Sequence, residues 1–528
     1  MTTADAGHWG SDVVSGGYAG HDGLVYQPSP PSIPALLDDT ERWADRDLIV
    51  QGDRRIAHGA FRSAIPVAAR MLVERGIGAG DRVMLLGYNS PEFMLATWAV
   101  WWLGAVPVYA NRWWSRGELD HGLDLTDPAL VLTDDASLVP SGRAAADIRE
   151  WADAYGAQTP LDDRGPVDVP LDAPALILFT SGSSGLPKGV ELTGRSVVVN
   201  QHNLLARSRR LPHQLDETVP QPVTLVSTPL FHVGGVSNML SNQITGGRLV
   251  LTRGRFDPAE ILSLIQSEGV QTWGGVPTMA VRVLEHPDFD RTDLSSLRSW
   301  PLGGAPIPAA LLERMASKVP QLKKRGLGNT WGMTETGGFM TVAGNRDLAE
   351  RPGTVGFPYP VVELRIDKPD ENGVGEVIAR SPTIMAGYLG VDDGTIDPEG
   401  WLHTGDLGHL DDDGYLYLDG RSKDIVIRAG ENIACAHVEQ GLLAHPAVVE
   451  AAVFGIPDDD LGEQLVAAVS HRPSEAVSEQ ELRDHCRDHL AYFEVPALWE
   501  ISDTPLPTLA GEKIDKKGVK AAFLEARS

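Results

Sequence analysis

The chain has 528 residues, with 45 Lys and Arg against 72 Asp and Glu, for a formal net charge of −27. Such a length holds several domains or subdomains around a sizeable core, and the negative balance argues against nucleic acid or an anionic membrane as a partner. Cys435 and Cys486 are the only cysteines, which excludes a disulfide framework and a cysteine-based zinc site and points to the reducing cytoplasm.

The segment up to about Gly23 is rich in Gly, Asp and His, without a basic head or an apolar h-region. It reads as a mobile arm and not as a signal peptide. Residues 81–87 (DRVMLLG) read as a strand. Residues 93–110 carry no charge over 18 residues, the lower limit for a membrane span, but Gly104 and Pro107 divide them into a buried helix and a strand. No transmembrane segment is expected. With residues 130–133 (LVLT) as a further strand, the β-α-β alternation predicts a parallel sheet.

The apolar run 175–179 (ALILF) stops at residues 180–189 (TSGSSGLPKG). A loop of small, hydroxyl-bearing and glycine residues can point its N–H groups outward together, and with one lysine it suits a polyphosphate. It is not the Walker loop, because Lys188 follows Pro187 and precedes Gly189. Taken alone it is equally a solvated turn ending in a surface lysine. Residues 223–232, 270–277 and 327–335 repeat the pattern of a β-rich run ending in a polar loop, so several loops converge at one edge of a sheet.

From about Gly353 the texture changes to short β-rich runs, 361–366, 375–379 and 414–419, which predict a small antiparallel barrel or sheet. Residues 420–424 (GRSKD) lead into a last region of about a hundred residues, the size of a small domain. The expected fold is α/β: a large N-terminal domain over 1–420, with mixed or parallel sheets, helices and a β-barrel-like subdomain at 353–420, then a small mobile α+β domain over 421–528.

Six segments in order, 180–189, 329–335 (NTWGMTE), 401–406 (WLHTGD), 420–424, 430–432 (GEN) and 511–513 (GEK), carry a resemblance that spans most of the chain. Together they resemble the adenylate-forming superfamily of acyl-CoA synthetases, peptide-synthetase adenylation domains and firefly luciferase. The pattern is most like a CoA ligase for medium- or long-chain fatty or other hydrophobic acids. The resemblance implies ATP, Mg²⁺ and coenzyme A, and two steps: a carboxylate attacks the α-phosphate of ATP to give an acyl-adenylate and pyrophosphate, and a thiol then displaces AMP.

Carried over by position, the resemblance implies that Thr180, Ser181, Gly182, Ser183, Ser184, Gly185 and Lys188 hold the β- and γ-phosphates. Thr334 would bind the α-phosphate, and Glu335 would hold Mg²⁺ through oxygen. Gly303, Gly304, Ala305, Asn329 and Thr330 would border the adenine slot, with Trp331 stacked on the base where many relatives have tyrosine. Asp406 would accept from the ribose hydroxyls, with Arg421 reaching the same sugar.

Lys513 would be the adenylation lysine, bridging the acid and the α-phosphate; one charge at about 4 Å and ε near 20 is worth about 4 kcal/mol. Relatives read Gly-Lys there, whereas this chain places Glu512 before Lys513. Lys516 and Lys517 are the fallback if that register is wrong. Lys423 matches the hinge about which the C-terminal domain turns between steps, and Gly430 would let the CoA arm pass.

Peptide-synthetase domains pair an amino group with an aspartate after the strand ending at Phe231, but residues 231–236 (FHVGGV) offer no carboxylate. An unpaired ammonium there would be costly. His232, Val233, Val236, Gly304, Gly328, Gly332 and Met333 instead outline an apolar acyl slot, in which His232 either orients the acid, gates the pocket, or is simply packed. An aryl-acid CoA ligase and an acyl-AMP ligase that loads a carrier protein are the alternatives. A non-enzymatic nucleotide module is disfavoured, because Lys513, Glu335 and Asp406 are catalytic parts. A homodimer is left open.

Overall fold

In a computed structural model, the described residues are 7–156, 165–181, 186–305, 307–324, 326–391, 393–428, 431–458, 460–473, 475–509 and 511–527. The sequence pattern of β-rich runs alternating with helices becomes two mainly parallel sheets. One has seven strands, ordered Gly387–Tyr388, Pro187–Thr193, Pro174–Ser181, Val106–Tyr109, Arg82–Leu86, Leu130–Thr133 and Ala145–Asp147. The other has five, ordered Thr272–Trp273, Val223–Val226, Arg248–Leu251, Asp47–Gln51 and Arg54–Ala57. Antiparallel pairs occur only at their margins: the last two strands of the second sheet, and the first three of the first.

The uncharged stretch that could have passed for a membrane span forms the helix Pro91–Trp102 and the strand Val106–Tyr109. Ser90 caps that helix by accepting from the Phe93 N–H at 3.1 Å, and Pro91 suits the first turn, where no N–H is needed. The helix is apolar all round because protein surrounds it; its indoles find partners inside, Trp98 on Gln243 at 2.8 Å and Trp101 on the Ala175 carbonyl at 2.7 Å. Gly104 ends it at φ +68°. No helix among the described residues is long and apolar enough to cross a membrane.

Two further sheets carry the chain from the parallel core toward the C-terminus. Trp300–Gly303 and Leu327–Met333 run parallel, followed by antiparallel Gly338–Gly344 and Phe357–Pro358. Next comes an antiparallel sheet of Glu363–Asp367, Gly375–Arg380, Leu402–Leu410 and Leu416–Arg421. Among the described residues its outer strands do not pair with each other, so the expected barrel-like unit is an open sheet. The small C-terminal domain wraps the helices Cys435–Leu443 and Glu479–His489 around a sheet built on the long hairpin Val448–Asp458 and Gly462–His471. This is the α/β fold with a small α+β C-terminal domain that the sequence predicts.

The beginning of the chain differs from expectation. Residues read as a mobile arm form a hairpin, Asp12–Tyr18 with His21–Gln27, docked on the helix Gly194–Ser208. Trp9, Tyr18 and Tyr26 are buried. Tyr26 donates to Asn203 Oδ1 at 2.9 Å and stacks on His202 at 4.0 Å, while His202 Nε2 donates to the Gly10 carbonyl at 2.6 Å. The apolar anchors are widely spaced between Gly residues, which hides them from a reading by composition.

Burial pushes the imidazole pKa of His202 down to about 4, and that of His58, which donates to the Gly247 carbonyl, to about 4 as well. Between about pH 6.5 and 4 the unfolded chain therefore binds more protons than the folded one, and stability falls on acidification through that window, by at most about 1.4 kcal/mol per pH unit per group. Urea melts from pH 7 to pH 4 should show this slope, and His202→Asn should flatten it by one proton; an unchanged slope would place the titration elsewhere.

Candidate active site

The strand Leu327–Met333 ends in a tight turn at residues 334–337. Thr336 Oγ1 accepts from the Met333 N–H at 2.9 Å and donates to the Gly338 carbonyl at 2.7 Å. Gly337 takes φ +67°, and a β-carbon on it would lie 2.0 Å from the Thr383 carbonyl oxygen, so only glycine fits. The turn leaves Thr334 and Glu335 half-buried at the end of the strand.

Glu335 Oε1 accepts the Tyr388 hydroxyl at 2.7 Å. Burial first, and then Glu335, raises the Tyr388 pKa, so the phenol stays protonated and donating. Tyr388 lies on the short strand beside Pro187–Thr193, and its ring lies 4.3 Å from the Lys188 ammonium. Lys188 also pairs with Asp393 at 3.0 Å. The strands Pro174–Ser181 and Pro187–Thr193 pair antiparallel, with Thr180 and Lys188 as cross-strand neighbours; Gly182, Ser183, Ser184 and Gly185 lie outside the described residues.

Asp406 and Arg421 face each other in strand register. Arg421 Nε donates to Asp406 Oδ1 at 2.7 Å, and Trp331 Nε1 donates to Asp406 Oδ2 at 2.7 Å. The carboxylate is 5% exposed, so these two donors offset much of its desolvation. The Trp331 ring is buried with Met340, Val355 and Val377, and its indole edge supports Asp406. Asn329 is likewise drawn inward, its amide donating to the Thr354 carbonyl at 3.0 Å. Gly303 and Thr330 pair on adjacent strands, with Gly304 and Ala305 following at the strand end.

Lys513 arrives from the C-terminal region on a small hairpin, in which Leu509 N–H donates to the Lys513 carbonyl at 2.7 Å and Glu512 N–H to Leu509 at 2.8 Å. A β-carbon on Gly304 would lie 3.3 Å from Lys513 Nζ, and one on Gly511 would lie 3.2 Å from His232 Nε2. Lys513 keeps exposed area although protein crowds it, the condition of a side chain at the bottom of an open cleft. Desolvation lowers its pKa, Arg421 adds to the lowering, and Asp406 and Glu335 oppose it. These groups thus share one field. The fallback Lys516 is committed elsewhere, to Glu439 at 2.6 Å.

His232 stands at the N-cap position of the helix Val233–Ile244, where its side chain makes no capping hydrogen bond. Burial, then the Lys513 charge, depresses its pKa to about 4, so it is neutral near pH 7. Its Nε2 is buried without a partner among the described residues. Val233 and Met333 are partly buried beside the core. Val236 and Gly328, expected to line the acyl slot, are buried by neighbours instead: Val236 in the core, and Gly328 against the Ala343 carbonyl and Pro301. Gly332 serves close strand approach, since a β-carbon there would fall 2.1 Å from the Gly338 oxygen. Lys423 is exposed in the turn Ser422–Asp424, and Gly430 lies outside the described residues. The sequence reading missed Tyr388 and Asp393, whose positions beside Glu335 and Lys188 depend on pairing across more than 50 residues.

One lysine from the C-terminal region thus shares a field with Glu335, Asp406 and Arg421, in a chain that is similar to known proteins over most of its length. Residues 36–389 match the model of the AMP-binding enzyme family, and residues 437–508 that of the AMP-binding enzyme C-terminal domain. The chain belongs to the AMP-binding enzyme family. Among its relatives, a feruloyl-CoA synthase from Amycolatopsis sp is 33% identical over 89% of this chain and 95% of its own length. A 2-succinylbenzoate–CoA ligase from Bacillus cereus is 32% identical, over 86% of this chain and 90% of its own. The o-succinylbenzoate CoA synthetase from Bacillus subtilis, solved with its acyl-adenylate intermediate, superposes with a TM-score of 0.78 at 28% identity, covering 92% of this chain and 97% of that one.

The field around Lys513 yields a test of sign. At pH 8 this family member should be acylated by acetic anhydride faster at Lys513 than at Lys516, whose burial is outweighed by Glu439 together with Asp424 and Cys435, so that its pKa is raised. Since Asp406 and Glu335 hold the Lys513 pKa up, Asp406→Asn or Glu335→Gln should increase its labelling further, read by mass spectrometry; slower labelling would mean that these carboxylates do not face it.

Proposed function

We propose that this cleft activates a hydrophobic carboxylic acid with ATP and passes the acyl group to coenzyme A, as an AMP-forming acid–thiol ligase. The observation that carries this reading is the delivery of Lys513 into a cleft that already holds Glu335, Asp406 and Arg421. In the first step a carboxylate oxygen of the acid attacks the α-phosphorus, the bond to the bridging oxygen breaks, and pyrophosphate leaves. In the second, the CoA sulfur attacks the acyl carbon, the carbon–oxygen bond to AMP breaks, and the thiol proton passes to solvent.

The residues divide this work by charge. Lys188, with Thr180, would hold the β- and γ-phosphates, exchanging Asp393 for phosphate; residues 182–185 of the same segment lie outside the described residues. Thr334 donates to the α-phosphate. A divalent cation neutralises phosphate charge when bound, and Glu335 Oε2 is the protein oxygen suited to it, because Tyr388 occupies Oε1 and fixes the carboxylate. Each Asp406 oxygen has a second lone pair left for a ribose hydroxyl after Trp331 and Arg421 have donated. Lys513 offsets the repulsion between the acid and the α-phosphate; its lowered pKa rises again as those anions enter.

Neutral His232 with Val233 and Met333 suits an uncharged acyl body, and the lack of a carboxylate at residues 231–236 disfavours amino acids. The aryl acids in the names of the feruloyl-CoA synthase and the succinylbenzoate ligase support an aryl acid as the first to try. Pyrophosphate release across a panel of aryl and alkyl acids, with CoA or with a carrier protein as acceptor, tests the reading. Release with no acid would sink it, and thioester formation only on the carrier would replace CoA.

Two variants separate the steps. Lys513→Ala should lower adenylate formation by a few decades, while thioester formation from supplied acyl-adenylate stays largely intact; equal loss of both would remove Lys513 from this role. The C-terminal domain turns about Lys423 between steps, so Lys423→Pro should slow thioester formation much more than adenylation. A variant normal in both would count against the hinge.

A further inference from the structure

The residue before Lys513 is Glu512, and it is held at φ +59°, a backbone conformation that glycine adopts freely and glutamate does not. At that position its backbone carbonyl accepts the Thr278 hydroxyl, and its carboxylate Oε2 accepts from Arg282 Nη1 and from Thr508 Oγ1, the latter at 3.3 Å. Thr278 and Arg282 lie one turn apart on the helix Pro277–Leu284, which belongs to the large N-terminal unit.

Arg282 reaches a second carboxylate as well. Its Nη2 lies 3.5 Å from Glu450 Oε1, and Glu450, 3% exposed, uses Oε2 to accept the Leu506 N–H at 2.6 Å, at the start of the segment that leads to the Lys513 hairpin. One guanidinium therefore holds both the hairpin and the strand behind it. Glu285, which caps the end of the same helix, adds another tie by accepting from Arg472 at 3.0 Å while Arg314 pairs with it at 2.6 Å. The side chains of Arg282 and Glu512 are only 25% and 15% exposed, so water screens their pairing less than it would on open surface.

Resting on the function proposed above, we propose that Arg282 and Glu512 are a positioning pair that clamps the Lys513 hairpin into the cleft and biases the protein toward adenylation over thioester formation. Neither is a catalytic residue. The pair acts by fixing where the Lys513 ammonium stands, and it must part before the C-terminal domain can turn. Glutamate in place of glycine thus trades backbone ease for a tie across the two units.

The test uses the full-length protein with Arg282→Gln, Arg282→Lys, Glu512→Gly and the Arg282→Gln/Glu512→Gly double variant. Rapid-quench pyrophosphate formation should fall about tenfold in kcat for Arg282→Gln and for Glu512→Gly, with KM for acid and ATP little changed. Thioester formation from supplied acyl-adenylate should hold or rise. The double variant should be no worse than the poorer single one, and Arg282→Lys should recover part of the loss. Equal loss of both steps, or unchanged adenylation, overturns the proposal. So does a rise in acid KM with Arg282→Gln alone, which would make Arg282 an acid-binding residue. Amide hydrogen exchange over residues 506–514 needs no turnover, and so reads the clamp even if the proposed reaction fails. Exchange about tenfold faster in the Arg282→Gln and Glu512→Gly variants supports the clamp, and unchanged exchange removes it.

Discussion

The cleft depends on placing one cation among groups that both attract and repel it. Lys513 stands near Asp406 and Glu335, which favour its charge, and near Arg421, which opposes it. In water these influences would be small; in a crowded cleft, where desolvation already lowers the ammonium's pKa, they count for more. The large unit supplies the carboxylates, Asp406 within the strand Leu402–Leu410 and Glu335 in the turn after Met333, and the lysine comes from the C-terminal region.

Rigid elements hold the stationary half of this arrangement. Asp406 is fixed by its cross-strand partner Arg421 and by the Trp331 indole, and Glu335 by Tyr388. In each case a second residue, itself packed into a sheet or core, fixes the orientation of the group that faces the cleft. The side chains that face the cleft therefore lose little further freedom when a ligand enters.

Much of this was legible in the sequence, for physical reasons that differ from residue to residue. The helix and strand over residues 91–109 were readable because Gly104 and Pro107 mark the break, and the parallel sheets because apolar runs alternate with helices. Lys513 was singled out through the order of six local segments, and the structure places it beside Gly304. The hydrogen bond of Trp331 to Asp406 was not legible, because it joins residues 75 apart and follows a register shift between Trp331 and Gly332 that only the tertiary structure fixes. Tyr388 and Asp393 were missed because their partners come from strands distant along the chain. The hairpin at the front of the chain was missed because its few apolar anchors find their burial on the helix Gly194–Ser208, not within the segment itself.

Lys188 has a consequence for turnover. It is engaged before any phosphate arrives, by the Asp393 carboxylate and the Tyr388 ring. In the reaction proposed above, an incoming polyanion would swap one negative partner for another, so the net attraction would be the difference between two favourable contacts. The same exchange would run backward when the cleaved anion departs: the aspartate would recapture the lysine, and no bare cation would be left to hold the product. Such a counterweight would trade grip for speed of release.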